Sequence, residues 1–438
     1  MLSRETQRAA LLLTLAHLVI PTLRATTPLT WDAASKEAAR GNADLRAAEE
    51  TVAKAQTQVG VSFSAFLPQV AGTISYSHGN ASSASGTVSG GSSGSGTAFG
   101  VITTSDQYSL GLAASQNLFN GFQDRASLVQ ARANLIAAQS ALRAQKATLH
   151  QSLKKAFYQL LYSQQAVVLS REIEKRRKGN FDLVELRFSG GRENKGSFLK
   201  TRGQWRQAQF QVRQNQRNIL IAQQQLALLL GRRDFEGLEA VGTLTTKNLP
   251  QGLGDVRKLA GTVPSVEQSK AKLEAAVGAS QAAFGTLLPS LTLNGSMSKV
   301  GLSFPPETDR WSVGLTLSIP IFRYSNFASL SGAHADERKA EFDLQTIDRQ
   351  AAIALSTALT ALQLAVEKVD VQGEVRQAAL VRAEIARGQY TSGLITYNEW
   401  DLIESDLVTQ DQALLTTKQE AVNAEADWEQ ALGRGDIP

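Results

Sequence analysis

The sequence predicts an α+β membrane protein made of two internal repeats, each with a pair of membrane-length β-strands and long helices of coiled-coil spacing. Three observations predict it. Short motifs return at a fixed interval: Phe188-Ser189-Gly190-Gly191 recurs as Tyr390-Thr391-Ser392-Gly393, and Leu230-Gly231-Arg232 as Leu432-Gly433-Arg434, each 202 residues on. A unit of that length lies far outside the roughly 20–50 residues of solenoid repeats. Four segments alternate apolar with small or polar residues, and two stretches of more than sixty residues contain no proline.

Taken in order, residues 1–25 predict an export signal. Arg4 and Arg8 make a positive start, Ala9 to Ile20 is mostly apolar, and Pro21 and Leu23-Arg24-Ala25 precede a plausible cut. The alternative, an N-terminal membrane anchor, is disfavoured because the run falls short of the ~20 apolar residues a span needs. No later stretch is a transmembrane-helix candidate. The first repeat is placed at 26–231, a Gly-rich connector at 232–254 and the second repeat at 255–438.

Ala, Glu, Lys and Gln dominate 29–63, which predicts a helix ended by Pro68. A strand follows with Val70, Gly72, Ile74 and Tyr76 on one face. Residues 79–100 are Gly/Ser-rich and read as a loop. Alternation resumes with Tyr108, Leu110, Leu112 and Ala114. Helices are then predicted over about 123–188 and 193–230. The second repeat keeps the order: a helix over about 256–284, a strand carrying Leu291, Leu293, Gly295 and Met297, a Pro305-Pro306 turn, and a strand carrying Trp311, Val313, Leu315, Leu317 and Ile319. Helices over about 326–390 and 396–432 close the chain.

In a soluble sheet the apolar face meets a core; in a membrane barrel it meets lipid while the small polar face lines water. Strands of 10–12 residues span a bilayer when tilted. Tyr76, Tyr108 and Trp311 all fall at the loop end of their hairpins, as membrane-interface aromatics would. Four strands cannot close a barrel, and open edges are not tolerated in lipid. The chain is therefore expected to supply strands to an oligomer, three copies giving twelve. A helix over 123–188 would reach roughly 100 Å. Its apolar residues Leu128, Ala131, Leu135, Ala138 and Leu142 recur at 3-4 spacing, as do Leu355, Leu359, Leu362, Val366 and Val369.

Composition excludes several classes. With no cysteine there is no disulfide framework, thiolate metal site, cysteine nucleophile or lipidated N-terminal Cys. The net charge of +5, two units of it in the first 25 residues, is too weak to argue for nucleic acid. His17, His78, His150 and His334 are scattered, and Gly191 to Ser197 lacks the lysine of a phosphate loop. No enzyme, cofactor or metal is expected.

The duplicated Leu-Pro strand starts, the strand-to-helix joints Gln116 to Gly121 and Ser318 to Phe322, the aromatic-Ser/Thr-x-Gly tips and the Leu-Gly-Arg helix ends, all in order, resemble the TolC-like outer-membrane efflux protein family. The resemblance spans the whole predicted mature chain. It implies a homotrimer with a 12-stranded β-barrel among outer-membrane lipids and a periplasmic α-barrel. It also implies partners at the helical tips: a periplasmic adaptor (membrane fusion protein) and an inner-membrane transporter. The function implied is a passive exit duct for small-molecule export. A protein-secretion duct of the same family stays open, as does, from another class, a periplasmic coiled-coil scaffold or adaptor.

The tips, Arg187, Phe188, Ser189, Gly190 and Gly191 with Gln389, Tyr390, Thr391, Ser392 and Gly393, are the candidate adaptor contacts. Gly191 and Gly393 suit a left-handed cap. The family closes its periplasmic end with acids just past the second tip. Glu399, with Asp401 and Glu404 near it, is therefore the candidate gate; Ser197 occupies the matching place in the first repeat.

Overall fold

The computed structural model describes residues 27–82, 102–234, 237–246, 256–435 and 437. The signal expected over 1–25 and most of the Gly/Ser loop lie outside them. In chain order the elements are β1 (Thr27–Leu29), α1 (Trp31–Gly41), α2 (Ala43–Phe63), β2 (Gln69–Ser82), β3 (Ile102–Asn120), α3 (Gln123–Ser189) and α4 (Lys195–Leu230). Then come β4 (Leu238–Ala240), α5 (Val256–Ala260), α6 (Pro264–Gly285), β5 (Ser290–Gly301), β6 (Thr308–Ser318), α7 (Tyr324–Thr391) and α8 (Tyr397–Ala431).

The four long strands form one antiparallel sheet in the order β2-β3-β5-β6. No layer covers it. Its apolar face presents Val70, Ile74, Leu112, Met297, Trp311 and Val313 to the surroundings, Ile74 being 81% and Trp311 79% exposed. A soluble domain rarely leaves so continuous an apolar face open. The other face joins small polar residues across strands: Ser75 to Ser109 at 3.0 Å, and Ser296 to Ser312 at 2.9 Å.

The helices pack as a sheet of rods. At the strand end the order is α2-α3-α6-α7; toward the tips it is α4-α3-α8-α7. One edge of the molecule is therefore β2, α2 and α4, and the other is β6 and α7. Buried Leu153, Phe157, Leu160 and Leu226 join α3 to α4 under α1, while Leu355, Leu359 and Trp428 join α7 to α8 under α5. Between these clusters Lys154 of α3 reaches Glu429 at 2.7 Å and Glu425 at 3.3 Å on α8.

Several expectations change. The first predicted helix is two, α1 and α2, because Asn42 caps α2 through Leu45 N–H and its amide donates to the Leu229 carbonyl at 3.1 Å. Residues 261–263 also break the second-repeat helix, here with no side-chain cap, and Pro264 starts α6. The connector contains β4, which pairs in parallel with β1; strands of three residues are too short to show a period. The first hairpin extends through Ser82 and Ile102, so residues 79–82 are strand rather than loop. Finally, α7 holds an 18-residue window of mean hydropathy 1.3, enough to qualify as a membrane span by length and composition alone.

Candidate functional site

Both tips are closed by the same hydrogen bonds. Arg192 N–H donates to the Arg187 carbonyl and Gly191 N–H to that of Phe188, while Leu394 donates to Gln389 and Gly393 to Tyr390. This is the Schellman arrangement, which needs a left-handed residue at its centre. Gly191 (φ +68°) and Gly393 (φ +79°) supply it. The helices restart on capping residues. Asn194 accepts from Ser197 N–H at 2.9 Å, and Thr396 and Glu399 cap each other reciprocally at the start of α8.

The candidate contact residues split into exposed and internal groups. Gly190, Gly191, Ser392 and Gly393 are exposed turn residues, and Phe188, Ser189, Gln389 and Thr391 are exposed residues of the helix ends. Tyr390 is buried, 1% exposed, stacked on Trp400 at 4.4 Å between centroids. Its hydroxyl donates to Glu193 at 2.7 Å. Burial, then that carboxylate, pushes the Tyr390 hydroxyl pKa well above its ordinary value. Arg187 lies over the Tyr390 ring at 4.5 Å and donates to the Tyr390 carbonyl at 2.8 Å. These two residues bind the first tip to the second.

The three candidate gate acids occupy different environments. Glu399 is exposed, and its carboxylate accepts from Thr396 N–H at 2.8 Å. That backbone bond, then the Thr396 hydroxyl, lowers its pKa. Asp401 is 7% exposed, with Lys200 Nζ at 2.7 Å, Gln204 Nε2 at 2.9 Å and Arg177 at 3.6 Å. Glu404 is 1% exposed, 3.2 Å from Asn180 Nδ2 and 3.9 Å from Arg176. Asp401 and Glu404 thus face basic and amide groups of α3 and α4 inside one protomer. Sequence reasoning missed those partners, although the spacing Tyr397, Trp400/Asp401, Glu404, Leu407 marks a single inward helix face.

Sequence reasoning also missed a contrast between the tips. Residues 187–206 hold six Lys/Arg and one Glu; the repeat-equivalent 389–408 hold four Asp/Glu and no Lys or Arg. On the basic tip Phe188 stacks on Phe198 and Phe181 on Trp205, with Phe198 and Phe181 in tilted contact, Arg202 above Phe198 and Lys178 above Trp205.

At the strand end Tyr76 and Tyr108 face each other across β2 and β3 with ring centroids 5.0 Å apart, and Phe304 adds an edge contact to Tyr108 at 5.9 Å. The Tyr76 hydroxyl donates to Asp106 at 2.9 Å. Trp311 pairs with Met297 near the start of β6. The two tyrosines lie six residues inside the hairpin end because the strands run on to Ser82 and Ile102. Among the described residues no group of three or more His, Asp or Glu is placed to hold a metal ion.

Comparison with known proteins places this architecture. The chain is 26% identical over 413 residues to the probable outer membrane lipoprotein SilC of Salmonella typhimurium, covering 91% of this chain and 84% of that one. It is 25% identical over 415 residues to the cation efflux system protein CusC of Escherichia coli K12, covering 91% and 85%. The crystal structure of the outer membrane protein VceC from Vibrio cholerae superposes with a TM-score of 0.80 over 92% of this chain and 96% of that one, at 19% identity, a likeness of fold. The family model described as outer membrane efflux protein matches residues 34–232 and 257–434. The chain belongs to the outer membrane efflux protein family, and its place is the outer membrane.

Proposed function

We propose that three copies of this chain close into a duct: a 12-stranded barrel in the outer membrane continued by a periplasmic tube of helices, a passive exit for cargo delivered by a tripartite export system. The observation that carries the reading is the pair of open edges. One protomer leaves β2 and β6 unpaired on opposite sides of the sheet, and α4 and α7 unpartnered on the matching sides of the helical layer. Such edges satisfy one another head to tail, which closes a ring. Lipid forbids unpaired strand edges, so each sheet needs neighbours. The uncovered apolar face supports lipid contact outside, and the Ser, Thr and Asn pairs support a wet lumen.

In this reading the two-repeat organisation delivers two tips per copy, six per ring, to a periplasmic adaptor and through it to an inner-membrane transporter. The exposed residues at 188–191 and 391–393 are the contacts, and Tyr76, Tyr108 and Trp311 mark the membrane interface. The duct opens when α7 and α8 swing away from α3 and α4. Asp401 and Glu404 restrain that motion by holding Lys200, Arg177 and Asn180. Glu399, exposed and ionised, sets ion preference at the narrow end. SilC and CusC bear names of an outer membrane lipoprotein and a cation efflux protein; we carry over the efflux and leave the choice of cargo to the inner-membrane partner.

Purified protein in a planar bilayer tests this. We expect a small cation-preferring conductance from heat-modifiable trimers, with preference reduced in Glu399→Gln. A detergent-free, soluble protein with no conductance would favour the periplasmic scaffold instead.

A further inference from the structure

Resting on that membrane-embedded ring, we propose that each subunit holds one phospholipid of the inner leaflet in a cavity just below the sheet. Arg125 and Gln281 take its phosphate, and Phe122 and Phe284 meet its acyl chains. The cavity has a volume of about 780 Å³ and lies between α3, α6 and α7. Phe122, Arg125 and Val129 line it from the start of α3, and Val277, Gln281 and Phe284 from the end of α6.

Its depth follows from the place where the backbones of Gly121 and Gly285 touch, at the end of the sheet. From that crossing α3 descends as residue numbers rise, and α6 as they fall. Phe122 and Phe284 stand one residue away, Arg125 and Gln281 four, and Val129 and Val277 eight. At 1.5 Å per residue, Arg125 and Gln281 form a rung roughly 6 Å below the sheet. Exposed Leu118, Ile321 and Phe322 carry the apolar surface down to the crossing, Ile321 being 94% exposed. The headgroup layer beyond the hydrocarbon is roughly 5–8 Å deep on each side. The rung therefore stands at the level of lipid phosphates, with the Phe122 and Phe284 rings, 61% and 52% exposed, on the hydrocarbon side.

The cavity opens outward, toward lipid. Phe122 and Val129 fall five and four heptads before Phe157, and Arg125 four before Leu153, so all share the side of α3 on which α1 packs. Trp31 of α1 meets Phe157 there at 5.8 Å between ring centroids. Twelve helices about 10 Å apart enclose a lumen roughly 30 Å across. Three copies of α1 and the β1–β4 pair would block it, so in the ring their side is the outer one. Charge then identifies the occupant. Neither Arg125 nor Gln281 makes a side-chain hydrogen bond or ion pair with a described residue. A guanidinium grips a phosphate through two parallel N–H bonds, and the Gln281 amide adds a donor. Asp124, next to Arg125, accepts from Asn120 at 3.3 Å, and His334, which also lines the cavity, faces Glu337 at 3.6 Å. The lining carboxylate, Glu274, lies roughly 16 Å down α6 from the crossing, beyond the phosphate level. A phosphate with apolar chains on its membrane side is what this cavity complements.

The test titrates delipidated full-length protein in detergent with dioleoylphosphatidylglycerol and counts adducts by native mass spectrometry. One lipid per chain should bind ahead of the rest. Arg125→Ala should weaken that binding about tenfold. Phe284→Ala should weaken it by a smaller factor, and Arg125→Lys, which keeps the charge, should lose less than Arg125→Ala. Arg338→Ala, exposed on α7 outside the cavity, should bind like the parent. Dioleoylglycerol, which lacks the phosphate, should bind no better to the parent than to Arg125→Ala. Trimers that conduct, yet bind the phospholipid equally with and without Arg125, would overturn the site and leave the duct standing. Displacement of the lipid by inorganic phosphate would overturn it too, making the cavity a site for free anions. A protein that stays soluble without detergent and never conducts would remove the duct and the lipid site together.

Discussion

Where β3 passes into α3, the backbone crosses the end of α6 so closely that neither chain has room for a side chain. Gly121 has φ +54°, and a Cβ there would lie 2.3 Å from the Gly285 carbonyl oxygen and 2.9 Å from Leu288 Cβ. A Cβ on Gly285 would in turn lie 2.4 Å from the Gly121 carbonyl. The contact is backbone on backbone, so no rotamer change relieves it. Gly121→Ala therefore suffers the left-handed penalty of about 1–2 kcal/mol and an overpacking strain of about 1–3 kcal/mol as the crossing opens by roughly 1 Å. The expected loss is about 2–5 kcal/mol per subunit. The control is Gly332→Ala on α7, which meets nothing within 4 Å and should gain up to about 1 kcal/mol of helix propensity. The assay is the temperature at which folded oligomer disappears on gels, at matched heating rates because such unfolding is commonly irreversible. Equal midpoints for the Gly121 and Gly332 variants would refute the argument that the sheet is locked to the helices at this crossing.

Three further outcomes are expected. Asp401→Ala removes the carboxylate that Lys200, Gln204 and Arg177 face between helices, leaving the buried Arg177 only its bond to Ser405 Oγ; this should loosen the tip by about 3 kcal/mol and raise bilayer conductance, and unchanged conductance would mean these contacts do not restrain opening. Glu399→Gln keeps an acceptor for the Thr396 cap but removes the charge, so it should alter ion preference without altering helix stability, whereas Glu399→Ala should alter both; equal circular-dichroism melts for Ala and wild type would count against the cap. The Tyr390 hydroxyl has its pKa raised in the fold, so its contribution is whole below its ordinary value of 10.0 and is lost as pH climbs through the raised one. Wild-type tips should therefore become protease-sensitive under strong alkali. Tyr390→Phe, lacking the hydrogen bond to Glu193 worth about 1–2 kcal/mol, should be less resistant at neutral pH and show no such alkaline step.

What the sequence made legible follows from the strength of its periodicities. The ends of α3, α4, α7 and α8 fall within two residues of expectation because over thirty residues of 3-4 spacing end at glycines with φ near +70°. The alternation of β5 and β6 was as plain. The interruptions were not. Asn42 reads as an ordinary polar residue in a helical run, and only its bond to Leu229, 187 residues away, shows that the chain bends there. The β1–β4 pair spans three residues on each side and leaves no pattern. The candidate acids illustrate the other gap. Proximity in sequence grouped Glu399, Asp401 and Glu404, yet one helix face separates them: Asp401 and Glu404 follow Tyr397 and Trp400 inward, and Glu399 turns out to cap the helix. The apolarity that makes part of α7 qualify as a membrane span has a related origin, since it is divided between the buried Leu355, Leu359 and Leu362 and exposed residues such as Ile353 and Leu364 rather than gathered on one face.

The opposite charge of the two tips has a consequence for how such a molecule can change over time. A ring of six identical half-length chains would present one kind of tip, and any substitution there would alter all six at once. Joining two repeats in one polypeptide frees alternate tips to diverge. Ser197 and Glu399 occupy matching positions, one residue neutral and the other acidic. In the proposed ring of three copies, selection can then tune the basic, aromatic-lined set for one task while the acidic set is held to another, with threefold symmetry kept and sixfold symmetry surrendered.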